Sequence, residues 1–124
     1  MNDDTFWLAI NVYHEARGES IEGQLAVCHV VMNRAEKRKR SIKSIVLQPF
    51  QFSWHNGNKF PPLAEYSTLQ SCISVAEKAA QERAEGINLS GADHYFAEYI
   101  TPPEWSKGMK LIKKIGKHIF YKEA

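Results

Sequence analysis

Two carboxylates lie close together in segment 14–19 (HEARGE), within reach of a predicted helix end. Apolar residues at helical spacing precede the segment and Gly18 is a typical terminator, so Glu15 is predicted in the last helical turn. The negative end of the helix dipole and nearby aromatic rings disfavour a charged carboxylate, which predicts a raised pKa for Glu15. A carboxyl group of this kind can donate a proton. The alternative is a charged surface turn, since charged residues are mostly exposed.

Further motifs follow this segment in a fixed order along nearly the whole chain. They are EARGE (15–19), EGQLAV (22–27), VVMNR (30–34), QPFQFS (48–53), Tyr95-Phe96 and KIGKHIFY (114–121). Together they resemble the SleB/CwlJ-type cell wall hydrolases, the family of the spore cortex-lytic enzymes. The resemblance implies cleavage of peptidoglycan glycan strands, at the β-1,4 bond between N-acetylmuramic acid and N-acetylglucosamine, with Glu15 as the acid.

A second catalytic carboxylate is harder to assign. Glycosidic cleavage usually combines an acid with a second carboxylate that stabilises the developing cation. Glu19 is the first candidate, although it could instead be structural, near a helix start or paired with Arg34. Asp93 and Glu98 are further candidates by position alone. A lytic transglycosylase needs no second carboxylate, and we favour that reaction over hydrolysis by a muramidase.

Aromatic and polar side chains near the motifs are candidates for sugar binding. Aromatic faces stack on sugar rings and hydroxyls hold N-acetyl groups, which favours Ser53, Trp54 and Tyr95, with His94 beside them. Trp54 and Tyr95 could equally be core aromatics, Ser53 a turn cap and His94 a structural histidine. Gln24 lies on a helix expected to be buried. Like Asn33 on the same helix, it is predicted to hydrogen-bond the Glu15 loop or the substrate.

The periodicity predicts helices first and strands late in the chain. Ser20 and Ser41 are expected to cap the second and third helices, and a further helix is expected over about 66–85 with Gly86 as its terminator. The residues of this helix expected to face inward are Leu69, Cys72, Ile73, Ala76 and Ala80. A short strand is expected over 91–96 and a hairpin over 111–121. The predicted fold class is therefore α+β, a compact lysozyme-like domain, mostly helical with a small antiparallel sheet or hairpin. Residues 1–124 are expected to form one catalytic domain with no separate wall-binding module.

The distribution of charged residues along the chain indicates what kind of partner the protein binds. The net charge is only +2, but basic residues cluster over 34–40 and 107–117, which indicates an anionic partner. We expect electrostatic attraction to the cell envelope and a monomer. Nucleic acid is the less favoured alternative, and a glycan-binding domain without catalysis is disfavoured because Glu15 is intact.

Neither the cysteines nor the histidines indicate a metal site. Cys28 and Cys72 each fall on an apolar helix face, which predicts two buried free thiols. The five histidines lack the paired spacing of structural zinc sites. No metal and no cofactor are therefore expected.

The amino-terminal residues show no pattern typical of export. Residues 1–4 (MNDD) are acidic, and Asn11 interrupts the apolar stretch that follows. No membrane insertion is predicted. The sequence thus favours synthesis in the cytoplasm and action on the wall after release, as in a phage endolysin that passes through a separately encoded pore.

Overall fold

A computed structural model describes residues 2–48 and 66–123 of the chain. Four α-helices occupy most of the described residues, namely α1 (Asp3–Ala16), α2 (Ile21–Arg38), α3 (Ile42–Leu47) and α4 (Tyr66–Ala84). Three short strands follow them: β1 (His94–Ala97), β2 (Lys110–Ile115) and β3 (His118–Lys122). The predicted fold class, mostly helical α+β with a small antiparallel sheet, is confirmed.

Side-chain caps define where the first three helices begin. Asn2 Oδ1 accepts from the Thr5 amide, Ser20 Oγ accepts from the Gly23 amide at 3.2 Å, and Ser41 Oγ accepts from Ser44 at 3.0 Å. Each bond satisfies an amide that has no partner within its own helix. The caps predicted at Ser20 and Ser41 are confirmed.

Helix α2 is the central element of the fold. Residues 23–34 are buried on every face of the helix, where they contact α1, α3 and α4. Burial on all sides identifies a core helix, and its polar side chains then need internal hydrogen-bond partners. The prediction of a central buried helix is confirmed.

Helix α4 packs against α1 and α2 with a narrow apolar stripe. Cys72, Val75, Ala76 and Ala79 are buried, whereas Ala80, which the periodicity placed inward, is exposed. The buried stripe therefore ends at Ala79 instead of Ala80. Cys28 and Cys72 are free and buried as predicted, and burial raises the pKa of both thiols.

The three strands form an antiparallel sheet in the order β1-β3-β2. The predicted hairpin is confirmed and turns at Gly116, whose φ of +57° suits glycine. The strand predicted over 91–96 starts later, at His94, because a short 3-10 helix occupies Leu89–Gly91.

The register of the sheet separates two sets of side chains. Tyr95 pairs with Phe120, and His94 pairs with Tyr121. Since neighbouring residues of a strand point to opposite faces, Tyr95, His118 and Phe120 share one face. His94 and Tyr121 lie on the other face, beside Trp105. Phe120 is fully buried in the core, so the first face is the one that turns toward the helices.

Candidate active site

Glu15 lies in the last turn of α1, as predicted. The Tyr95 hydroxyl donates a hydrogen bond of 2.7 Å to Glu15 Oε1. Burial raises the pKa of Tyr95 well above its usual value, and the Glu15 charge adds to the shift. The hydroxyl therefore stays protonated and holds the carboxylate in one orientation. Tyr95 thus contacts Glu15 directly, and its predicted role in sugar binding stays a prediction.

Arg34 is buried close to this pair, although the sequence grouped it with a basic surface cluster. Its side chain is 6% exposed, and Nε donates to the backbone oxygen of Asp93 at 2.6 Å. Burial lowers the pKa of Arg34, while the nearby Tyr95, Asp93 and Glu15 raise it. An arginine stays charged even so. A buried positive charge therefore lies near Glu15, and Arg34 does not belong to the surface patch.

An open pocket of about 260 Å³ lies beside Glu15. Its lining includes Glu15, Gly18, Glu19, Tyr99, Lys117 and His118. Side chains from the end of α1, the α1–α2 loop, the turn after β1 and the β2–β3 hairpin thus meet in one concave site. Of the predicted catalytic residues, the structure brings Glu15 and Glu19 together here.

Glu19 is held by the β2–β3 hairpin. Its Oε1 accepts a hydrogen bond of 3.1 Å from the Lys117 amide and lies 3.6 Å from His118 Nδ1. A Cβ added to Gly116 would come within 2.9 Å of the same oxygen. The carboxylate is thus engaged by the hairpin, and its pairing with Arg34 stays a prediction. Glu19 therefore joins the α1–α2 loop to the sheet.

Gln24 supports the α1–α2 loop, which follows Glu15 and carries Glu19. Its Nε2 donates to the backbone oxygens of Arg17 and Glu19, at 3.3 and 3.2 Å. The prediction that Gln24 hydrogen-bonds the Glu15 loop is confirmed. Asn33 instead donates to Asn88 and Ala92, so it supports the segment before β1.

His118 is a pocket residue that sequence reasoning missed. The centroids of the His118 and Tyr95 rings lie 4.9 Å apart. Burial lowers the pKa of His118, although the nearby Glu19 acts to raise it. The lowered pKa favours the neutral imidazole. The signal that could have found it is its place in the KIGKHIFY motif.

Residues 18–121 match the family model described as Cell Wall Hydrolase. The chain belongs to the cell wall hydrolase family. The match starts just after Glu15 and includes Glu19, Gln24, Tyr95 and His118.

Curated relatives of this cell wall hydrolase include spore cortex-lytic enzymes. That of Bacillus subtilis (strain 168) is 32% identical over 122 residues, covering 96% of this chain and 37% of the relative. That of Bacillus cereus is 30% identical over 123 residues, covering 97% of this chain and 44% of the relative. The chain thus spans about two-fifths of the length of these relatives.

Two solved structures share the fold. The catalytic domain of the Bacillus cereus SleB protein superposes with a TM-score of 0.67 at 26% identity, covering 98% of this chain and 91% of that one. The catalytic domain of the germination-specific lytic transglycosylase SleB from Bacillus anthracis superposes with a TM-score of 0.68 at 27% identity. This match covers 98% of this chain and 97% of that one. The fold of this cell wall hydrolase is therefore that of SleB catalytic domains, as the lysozyme-like prediction implied.

His94 lies outside the pocket of the cell wall hydrolase. It is on the opposite face of β1 from Tyr95, where Nδ1 is 3.0 Å from Asp93 Oδ1. Trp105 packs on its ring at 5.1 Å. The structure therefore does not bring His94 together with Glu15, because successive strand residues point to opposite faces.

Asp93 and Glu98, the other candidate carboxylates, are engaged elsewhere. Burial acts to raise the pKa of Asp93, but hydrogen bonds from His94, the Glu123 amide and Lys37 outweigh it and lower the value. Glu98 forms an ion pair with Lys114. Neither lines the pocket beside Glu15.

Asp93, His94 and Glu123 form a group that the histidine spacing did not foresee. Their ligand atoms lie within 4.8 Å of one another, a separation that could hold a metal ion. Lys37 is already paired with both carboxylates, at 3.2 Å from Asp93 and in close contact with Glu123. Its ammonium supplies the positive charge that the group needs. The absence of a metal stays a prediction.

Ser53 and Trp54 lie outside the described residues, so their predicted sugar-binding roles stay predictions. Within the ranges 2–48 and 66–123, no helix is both long and apolar enough to cross a membrane.

Tyr95→Phe is expected to lower the rate of wall lysis about tenfold, because the hydrogen bond that orients Glu15 is lost while the ring and its packing remain. The measurement is the loss of turbidity of purified cell walls. Tyr121→Phe, on the other face of the sheet, is the matched control. Equal rates for the two variants would contradict the orienting role.

Proposed function

We propose that this cell wall hydrolase domain is a lytic transglycosylase. It cleaves the β-1,4 bond between N-acetylmuramic acid and N-acetylglucosamine in peptidoglycan, with Glu15 as the single catalytic carboxylate. Support comes from the family membership and from the fold shared with the SleB catalytic domain described as a lytic transglycosylase. The pocket beside Glu15 supplies a place for the sugar.

In the proposed reaction Glu15 acts twice. As an acid, it gives its proton to the glycosidic oxygen while the bond from that oxygen to muramic C1 breaks. The muramic acetamido group stabilises the cation that develops at C1. The 6-hydroxyl oxygen then bonds to C1, and its proton passes to the Glu15 carboxylate, which restores the acid. The product carries a 1,6-anhydro end, and no water is consumed.

The observation that carries this proposal is that the Glu19 side chain is engaged by the β2–β3 hairpin. Its carboxylate accepts from the Lys117 amide and is surrounded by the hairpin that it holds. A side chain that fastens a loop to a sheet is poorly placed to move toward a reacting sugar. Glu15, which Tyr95 orients toward the pocket, is left to act as the acid.

Hydrolysis by a muramidase is the second candidate. The observation that favours it is that Glu19 lines the same pocket as Glu15. A second carboxylate in the cleft could activate a water molecule or stabilise the cation. The two candidates therefore differ in the role of Glu19 and in the product.

The products of digestion separate the two reactions. Purified peptidoglycan is digested in water enriched in ¹⁸O, and the soluble fragments are analysed by mass spectrometry. A lytic transglycosylase releases 1,6-anhydro ends without ¹⁸O, whereas a muramidase releases reducing ends that are heavier by one labelled water. Reducing, labelled ends would overturn the proposal. Digestion with Glu15→Gln protein controls for contaminating activity.

Two substitutions at Glu19 test its structural role. Glu19→Gln keeps an oxygen that can accept from the Lys117 amide, so we expect near-normal stability and lysis. Glu19→Ala leaves that amide and the hairpin without their partner, which is expected to lower the free energy of unfolding by about 1–3 kcal/mol. Urea denaturation measures stability, and turbidity loss measures lysis. A stable but inactive Glu19→Gln protein would favour the muramidase.

Approach to the anionic envelope and release to the wall are further parts of the proposal. Lys39 and Arg40 are exposed at the end of α2, and such charges would attract the protein to an anionic envelope in a salt-sensitive way. A monomeric state and action as a phage endolysin, released through a separate pore, also stay predictions.

A further inference from the structure

The second basic run, 107–117, is largely neutralised within the fold. Lys107 lies 2.8 Å from Glu104, Lys113 lies 3.2 Å from Glu22, and Lys114 is paired with Glu98. These pairs reduce the net positive charge of the run. They also single out the lysines that are left over.

Lys117 is exposed and lines the pocket beside Glu15. Within the part of the chain that the structure describes, its ammonium forms no ion pair. Its backbone amide binds Glu19, so the side chain itself is not needed to hold that residue. A cation at the rim of a pocket with two carboxylates suits a ligand that carries its own negative charge.

Tyr99 stands on the same rim. Its side chain is 80% exposed, yet it lines the pocket with Glu15 and Lys117. The Glu98 amide donates to the Lys117 backbone oxygen at 2.8 Å, which joins the two turns that carry Tyr99 and Lys117. A tyrosine at the rim of a pocket offers an apolar ring face and a polar hydroxyl, which suits an amphipathic ligand.

We infer that Tyr99 and Lys117 form a subsite for a muramic acid that carries its stem peptide. The Tyr99 ring packs against the sugar, and the Lys117 ammonium pairs with a carboxylate of the peptide. The inference rests on the proposed function, since the sugar beside Glu15 must be a muramic acid. It adds a preference for peptide-bearing strands over strands without peptides.

The chemistry of the substrate agrees with this arrangement. The stem peptide is attached through the lactyl group of muramic acid and carries free carboxylates. With the sugar at Glu15, we place this substituent over the rim that Tyr99 and Lys117 form. The Lys117 ammonium lies at this rim, where it can pair with a carboxylate of the peptide. No side chain that the structure describes already neutralises it.

The test compares two substrates made from one batch of peptidoglycan, either intact or stripped of stem peptides with an amidase. For the wild-type protein, kcat/KM is expected to be higher on the intact strands. Lys117→Ala is expected to lower the ratio of the two values about fivefold, the effect of one exposed ion pair. Lys110→Ala removes an equal charge from β2, away from the pocket, and is expected to keep the wild-type ratio. At about 0.5 M salt the wild-type ratio should approach that of Lys117→Ala.

Tyr99 is tested separately. Tyr99→Ala is expected to lower kcat/KM about tenfold on both substrates, because the ring packs on the sugar. Tyr66→Ala is the control, since Tyr66 is also highly exposed, at 73%, but lies at the start of α4. Equal effects of Tyr99→Ala and Tyr66→Ala would overturn the role of Tyr99.

The remaining outcomes separate this inference from the proposed function. Wild-type protein that releases no fragments from either substrate would overturn both. Active protein with equal kcat/KM on the two substrates would overturn the subsite alone. Equal losses in Lys117→Ala and Lys110→Ala would show a diffuse charge effect and overturn it as well.

Discussion

Glu15→Gln is expected to lower the rate of wall lysis by about 10²- to 10⁴-fold, the usual contribution of a general acid. The amide cannot give a proton to the glycosidic oxygen. It still offers an oxygen to the Tyr95 hydroxyl, which donates to Glu15 Oε1 in the wild type. Folding and stability should therefore stay close to those of the wild type.

The measurement combines turbidity loss with urea denaturation, so that lost catalysis is distinguished from lost fold. Glu22→Gln is the matched control, because Glu22 is a mostly exposed glutamate of α2 that pairs with Lys113. Near-normal lysis by Glu15→Gln would remove Glu15 from the catalytic role.

Arg34→Met is expected to have the largest effect on stability. The substitution leaves the Asp93 carbonyl without its buried donor and removes the positive charge near Glu15. Leaving a buried hydrogen-bonding group unsatisfied costs about 1–3 kcal/mol, and more where a charged group is involved, as it is here. Activity should also fall, because Arg34 is one of the charges around Glu15 and Tyr95.

Arg40→Met is the control for this prediction. Arg40 is exposed and hydrogen-bonds Ser44 and Gln48 at the surface, so its loss is expected to cost about 1 kcal/mol or less. Urea denaturation of the two variants gives the comparison. Similar unfolding free energies would show that burial of Arg34 contributes nothing beyond a surface contact.

The charge run 34–40 shows a limit of reading sequence by composition. Arg34 and Lys37 look alike there, but α2 turns Arg34 into the core while Lys37 reaches Asp93 and Glu123. The direction of a helical side chain follows from its position around the axis and from what packs on that side. A cluster of basic residues in the sequence does not show which of their side chains is buried.

His94 and Tyr95 show a second limit. Both were predicted to bind substrate, yet only Tyr95 reaches Glu15. The sequence predicted a strand there, but its register with β3 decides which face each residue takes. A shift of one residue would exchange the two side chains.

The sequence by itself determined the local features of this protein. Helix caps at Ser20 and Ser41, the end of α1 after Glu15 and the turn at Gly116 follow from interactions within a few residues. The motifs also sufficed to predict the family and to propose Glu15 as the acid, since each motif is a short contiguous string.

The tertiary structure decided what surrounds Glu15. Tyr95 meets Glu15 across 80 positions of sequence, and Lys117 meets Glu19 across 98. Contacts at such separations depend on how the sheet packs against the helices and on its register, which no local pattern specifies. The assignment of Glu19 to the hairpin, the burial of Arg34 and the rim formed by Tyr99 and Lys117 all result from that packing.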